Sequence, residues 1–177
     1  VNDERNARVV VPFLSGDDIN KKGLSTSFIV NFADMSEADA REYDGPFTYV
    51  EGVVKPWRES LKNKKEYVRL KKYWWQFEFP APKIRKWFGA HTTAFAKSRH
   101  ATRWIIVRIE SGSVCSEGTY VFFFEDGSDF AVLQSSIHEH WSRVLGSTLG
   151  SAGHRYTNVC FDPFPFPQDP SEEAIEQ

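Results

Sequence analysis

The sequence predicts an α+β domain, with a mainly antiparallel, curved sheet and helices on its flanks. Three observations predict it. Trp104-Ile105-Ile106-Val107-Arg108-Ile109 and Tyr120-Val121-Phe122-Phe123-Phe124 are rich in β-branched and aromatic residues and read as strands. Two other stretches, 47–61 and 133–145, repeat apolar residues at three- and four-residue spacing, the period of a helix packed on one side. The length of 177 residues, 41% hydrophobic and 15% aromatic, suits one domain, or at most two small ones, with a real core. No apolar run reaches the roughly 18 residues of a membrane-spanning helix.

The elements follow in order. Val9-Val10-Val11-Pro12-Phe13-Leu14 reads as a short buried strand running into Ser15-Gly16-Asp17-Asp18-Ile19-Asn20, which has the composition of a turn. Phe28-Ile29-Val30-Asn31-Phe32 is a second strand. Ser36 is an N-cap, with Glu37 and Asp39 in the first turn of a helix. From Pro46 a longer helix carries Phe47, Val50, Val54, Trp57 and Leu61, and Pro56 is expected to kink or bound it. Pro80 and Pro82 interrupt any helix there, and Ile84 to Phe88 can form one or two helical turns. Ser111-Gly112 and Asp126-Gly127 supply turn signals around the two strong strands. Leu133, Ile137, Trp141, Val144 and Leu145 predict an amphipathic helix of about four turns, ended by Gly146. Alternating prolines keep Phe161 to Pro167 irregular, and Asp169 to Ile175 looks like a helix start. No internal repeat is visible.

Charge is distributed unevenly. The net of −2 conceals three blocks. Residues 1–51 carry 5 Lys/Arg against 10 Asp/Glu, residues 52–110 carry 15 against 4, and residues 111–177 carry 2 against 10. The nets are −5, +11 and −8. Within the basic block, Lys62, Lys64, Lys65, Arg69, Lys71 and Lys72 are opposed only by Glu59 and Glu66 over positions 58–72, and Tyr73-Trp74-Trp75 follows. A solvated helix face is one explanation, but such faces normally mix signs. Cations interleaved with aromatics suit nucleic acid, because phosphates attract Lys and Arg while bases and sugars favour flat apolar surface. Arg85, Lys97, Arg99, Arg103 and Arg108 extend the set. The polar segment Lys97-Ser98-Arg99-His100 borders a strand; Arg to guanine and Ser or His to base edges or phosphate are ordinary roles for such a segment, and a phosphate clamp without base reading, or no contact, are the alternatives.

Signals for catalysis are weak. The chain has no G-x-G-x-x-G, no phosphate-binding P-loop, no G-x-S-x-G elbow and no Asp/Asn-Pro-Pro-Tyr/Phe motif. His138-Glu139-His140 is a poor metal site, since helical residues two apart point in different directions, so two ordinary histidines are expected. No catalytic or metal-binding residue is assigned. Glu125, Asp126 and Asp129 resemble a nuclease cluster only as chance allows among 24 acidic residues. Cys115 and Cys160 have no disulfide or zinc spacing and read as free thiols in a reducing, cytoplasmic setting. The start at Val1, without a Met or a signal peptide, reads as a piece of a longer polypeptide.

Several segments, taken in order, resemble one family. They are Val9 to Asn20, Phe28 to Phe32, Val54-Lys55-Pro56 with Arg58, Tyr73-Trp74-Trp75, Phe130 to His138 with Trp141, and Arg155-Tyr156-Thr157 with Phe161 and Phe164-Pro165-Phe166-Pro167. Together they resemble the target recognition domain of MmeI-like type IIG restriction–modification enzymes and related adenine-specific DNA methyltransferases. The resemblance implies a DNA target recognition domain over residues 1–167, with 168–177 beginning a linker or helix to a further segment. It implies sequence-specific recognition of double-stranded DNA. A methyltransferase domain of the same polypeptide would bind S-adenosylmethionine, flip an adenine and methylate it at N6. A nuclease domain, if the parent has one, would use magnesium; this fragment needs no cofactor. Residues 83–103 match the family least, as expected of variable base-reading residues. DNA contact then falls to Lys62, Lys64, Lys65, Arg69, Lys71, Lys72, Arg85, Lys97, Ser98, Arg99, His100 and Arg103, while the Gly16 to Asn20 loop is structural or a contact to the catalytic domain, and the Leu133 to Leu145 helix and the Tyr156 to Pro167 return are scaffold. Two rivals stay open: a metal-dependent nuclease domain in its own right, and a protein-interaction module whose basic face docks an acidic partner.

Overall fold

The structure is a computed structural model that describes residues 4–78, 81–148, 150 and 153–167. The helix start expected near Ser171 lies outside the described residues. Strands and helices are mixed as the α+β class requires, and the strands form three small sheets. In the first, β1 (Val10–Leu14) lies between β2 (Ser27–Val30), antiparallel, and β6 (Val114–Cys115), parallel. In the second, β3 (Thr93–Ser98) is central, antiparallel to both β5 (Ile106–Glu110) and β7 (Thr119–Phe122). In the third, β9 (His154–Arg155) joins β4 (His100–Ala101) to β8 (Ser147–Thr148). Trp104 and Ile105, expected to begin β5, precede it.

Three apolar clusters hold these elements. One packs Val9 and Phe32 under α3 (Asp44–Ser60), through Phe47 and Val50, against Trp74 and Trp75. The second lies between α1 (Gly16–Lys21) and the inner face of β3, with Leu14, Ile19, Ala94, Ala96 and Ile109. The third centres on Phe95, Phe122, Leu133 and Tyr156. Cys115 and Cys160 are free, buried and in different clusters. Among the described residues, no helix is long and apolar enough to cross a membrane.

Local chemistry explains where the elements depart from expectation. The segment read as a turn after β1 is the helix α1, closed by a capping box. Ser15 Oγ accepts the Asp18 N–H at 3.1 Å and the Asp18 carboxylate accepts the Ser15 N–H at 3.0 Å. These bonds from Ser15 hold the Asp18 carboxyl below its ordinary range. A Cβ on Gly16 would lie 2.8 Å from Ser98 Oγ and 2.9 Å from the Gly118 carbonyl, so glycine lets α1 approach this closely. As expected, Ser36 caps α2 (Glu37–Arg41). Pro56 does not bound α3, which continues past it to Ser60; near the helix end its missing N–H removes a single ladder bond. Trp57, assigned to the buried face, is 53% exposed, and Arg58 takes its place inside.

The four-turn helix expected over 133–145 is two helices. Ser135 ends α6 (Gly127–Gln134) with extended backbone and caps α7 (Ser136–Leu145) by accepting the His138 N–H at 3.2 Å. Asp126, read as a turn residue, is the N-cap of α6. The break re-aims α7. Its inward face is His138 and Ser142, while Ile137 and Val144 are 73% and 80% exposed. Polar residues go inside because each finds a partner there. His138 Nδ1–H donates to the Leu133 carbonyl at 3.1 Å, which leaves Nε2 to accept from the Tyr156 hydroxyl at 3.0 Å. Ser142 Oγ meets His154 Nε2 at 2.6 Å. Beyond α8 (Asn158–Phe161), Phe164 packs tilted against the His138 ring at 4.4 Å between centroids, and Phe166 against Phe124 at 5.4 Å.

Candidate nucleic-acid interface

The cations of the basic block divide according to their partners. Lys62 and Lys64 lie between α3 and a 3-10 turn (Lys65–Tyr67), and Arg69, Lys71 and Lys72 lie on the short α4 (Val68–Lys72). This segment is anchored from below. Leu70 is buried, and the buried Arg58 guanidinium donates to the carbonyls of Tyr73, Trp74 and Gln76 at 3.2, 3.2 and 2.8 Å. Lys64 is 3.6 Å from Glu66 and Lys71 donates to Asn63 at 3.0 Å. Arg69 reaches the Gln76 amide and the Glu78 carbonyl, and the Lys72 ammonium stands 5.2 Å over the Tyr73 ring. Lys62 and Lys65 have no carboxylate partner among the described residues. Most of this segment is therefore exposed charge without an acidic counterpart.

The segment Lys97 to Arg103 separates into inside and outside. Lys97 and Ser98 leave the contact set. β3 is paired on both edges and every residue of it is buried, Lys97 at 1% exposure and Ser98 at 3%. Lys97 runs inward until its ammonium lies 4.3 Å from the Trp104 ring centroid, and burial lowers its pKa to about 8. Ser98 Oγ donates to the His100 carbonyl at 2.8 Å and accepts from Asn20 at 3.2 Å, which ties α1 to the end of β3. Arg99 turns outward, its Nε donating to the Thr119 carbonyl at 3.0 Å while the far end of the guanidinium stays exposed. His100 pairs across the sheet with Arg155, and Arg103 is exposed on the following loop. Arg143 reaches the Thr102 carbonyl at 3.4 Å, but Glu139 neutralises it at 2.7 Å.

The turn or two of helix expected at Ile84 to Phe88 is α5 (Pro82–Phe88), from which the sequence reading took Arg85 as a contact but not Lys83 or Lys86. Arg85 faces away from the sheet cations and pairs with Asp34 at 2.8 Å, which holds that carboxyl below its ordinary range. Lys83 and Lys86, one turn apart, have no carboxylate partner among the described residues. They border two adjoining hollows that share Lys83 and Phe123. One, of about 390 Å³, is walled by Trp87, stacked at 3.6 Å on the His91 ring. The other, of about 460 Å³, brings Lys83 together with Arg99 across Val121 and Thr119. Of this site the sequence reading named Arg99; the signal it passed over is Lys83-x-x-Lys86-Trp87, a cation pair beside an aromatic on one helix.

The acidic and histidine residues considered for catalysis are engaged elsewhere. Both ring nitrogens of His138 are bonded inside the fold, while His140 is exposed with Nδ1 at 2.9 Å from the Ser136 carbonyl. Glu125 pairs with His91 at 3.0 Å, and Asp126 caps α6. Among the described residues, no three His, Cys, Asp or Glu side chains come together as a metal site.

The small, mainly antiparallel sheets, the flanking helices and their order are those of a fold already seen in a solved structure. One solved structure with this fold is the type IIL restriction–modification enzyme MmeI in complex with DNA. It matches 98% of this chain with a TM-score of 0.70 at 16% sequence identity, and the chain spans 22% of that enzyme's length. No family model and no curated protein matches the chain.

Proposed function

We propose that this domain is a sequence-reading, double-stranded-DNA-binding module of a restriction–modification enzyme. Its fold is shared with part of an enzyme solved on DNA, and that observation carries the reading. The unpaired cations support it: Lys62, Lys65, Arg99, Arg103, Lys83 and Lys86 are surface charges with no carboxylate partner among the described residues, which leaves them available to phosphates. In this reading, a methyltransferase domain elsewhere in the same cytoplasmic polypeptide flips the target adenine and methylates its N6. That domain would hold S-adenosylmethionine, for which this chain lacks a glycine-rich strand-to-helix loop. A nuclease domain with magnesium would accompany it in a parent of the type IIG kind.

The test is equilibrium binding of the chain to a random-sequence duplex across a salt series. Six to ten phosphate contacts would weaken binding by about 10³–10⁵-fold between 50 and 200 mM salt. Absence of salt-dependent binding at 50 mM refutes the proposal. Selection from a randomised duplex pool then reads the preferred sequence.

A further inference from the structure

Resting on that reading, we infer that the groove along α5 is where one DNA strand lies, with its phosphates on Lys83, Lys86 and Arg99. Three observations converge there. First, the two hollows share Lys83 and Phe123 in their linings, so they lie side by side along α5. Second, the groove gathers cations from segments distant in sequence, α5 and the β3–β4 turn, and none of the three has a carboxylate partner among the described residues. Among the described residues Glu117 is the one acidic side chain in the lining, and Glu125 stands behind it, paired with the lining His91 at 3.0 Å. The neighbouring Arg85 and Arg108, which point elsewhere, are each neutralised, by Asp34 at 2.8 Å and by Glu110 at 3.1 Å. Third, the walls between the cations are flat and apolar: Trp87, held by an indole N–H bond to the Thr93 carbonyl at 2.7 Å, with Phe123 5.6 Å from it.

This mixture selects the occupant. An acidic protein segment would satisfy the cations but gain little from the aromatic walls. A nucleic acid strand satisfies both, because its phosphates recur beside sugars and bases that present apolar faces. Rigidity favours the same choice. The indole is bonded to the edge of the central sheet and Arg99 is fixed to Thr119, so the groove is formed before anything enters it.

The experiment compares the 177-residue chain with Lys83→Glu/Lys86→Glu and with a Lys21→Glu/Lys22→Glu control of equal charge change on α1, each checked for folding by circular dichroism. Binding to a duplex is measured over a salt series, with a polyglutamate peptide as an alternative ligand. The groove variant is expected to lose about tenfold or more in affinity, and its log–log salt slope to flatten by about 1.8, or 0.9 for each lost phosphate contact. Arg99→Gln should flatten it by about one unit. The control should keep the wild-type slope. Equal weakening in both double variants, or an unchanged slope in the groove variant, overturns the groove while leaving DNA binding intact. Polyglutamate binding as tight as duplex, lost in the same variant, assigns the groove to a protein partner instead. A wild-type chain that binds no duplex refutes the function itself, which is a different outcome from either.

Discussion

Lys97→Met should make this protein more stable, although the wild-type residue lies in the most basic part of the chain. The lysine is enclosed by β3 and its neighbours, with Trp104 under its ammonium and His138, His154 and Arg143 close enough to add unfavourable or competing charge. Burial lowers its pKa from 10.5 to about 8. At about 1.4 kcal/mol per pH unit, that shift means the charged form costs up to about 3 kcal/mol in the folded state. The ring contact is already part of the environment that methionine would keep as packing. The sign follows from linkage. A base with a depressed folded pKa is held more tightly by the unfolded chain, so the penalty is complete below about pH 8 and is relieved as pH rises toward 10.5. Urea unfolding of both proteins at pH 7 and 9.5 measures this. The variant should be more stable at pH 7 by about 2–3 kcal/mol, and the gap should narrow by about 2 kcal/mol at the higher pH. Taking the difference cancels other alkaline groups such as Cys115, whose thiol burial pushes up to about 11. A gap independent of pH, or a destabilised variant at pH 7, refutes the account.

Three further outcomes follow from buried polar contacts. Burial also lowers the pKa of His138 and of His154, so the unfolded chain takes up protons first and stability should fall as pH drops through about 6.5. His138→Gln, which keeps an amide donor and acceptor, should flatten that decline in melting temperature between about pH 7 and 5. Arg58→Met should cost about 3 kcal/mol by chemical denaturation, since three carbonyls lose a charged donor at once. Gly146→Ala should cost at least about 2 kcal/mol: its Cβ would collide with the His154 ring and lie 2.8 Å from the Ser142 carbonyl and 2.9 Å from that of Arg155. A melting temperature like wild type for this variant would contradict the close approach of α7 to β9.

Partnering sorts the cations better than sequence density does. Lys21, Arg41, Lys55, Arg85, Arg108 and Arg143 each sit within 3.5 Å of a carboxylate, and their charge is largely consumed locally. Lys62, Lys65, Lys83, Lys86, Arg99 and Arg103 are not so paired among the described residues. A charge count over residues 52–110 sees the paired Lys55, Arg85 and Arg108 no differently from these six, because pairing depends on residues such as Asp34, which is 51 positions from Arg85.

The sequence by itself determined the elements whose stability is local. The strand at Val10, the Ser36 cap, the long helix through Phe47 and Val50 and the irregular proline tail follow from propensity, capping and backbone donors within a few residues. It also determined that a basic middle lies between acidic flanks, and the segment order that resembles DNA target recognition domains. Only the tertiary structure decided which side chains face inward. Lys97 and Ser98 look like surface residues until β3 is seen to be paired on both edges, and Ile137 looks like core until Ser135 breaks the helix and turns His138 inside. The same long-range packing places Lys83 beside Arg99. The physical reason is shared: burial and ion pairing are set by neighbours tens of residues away, and no local pattern carries that information.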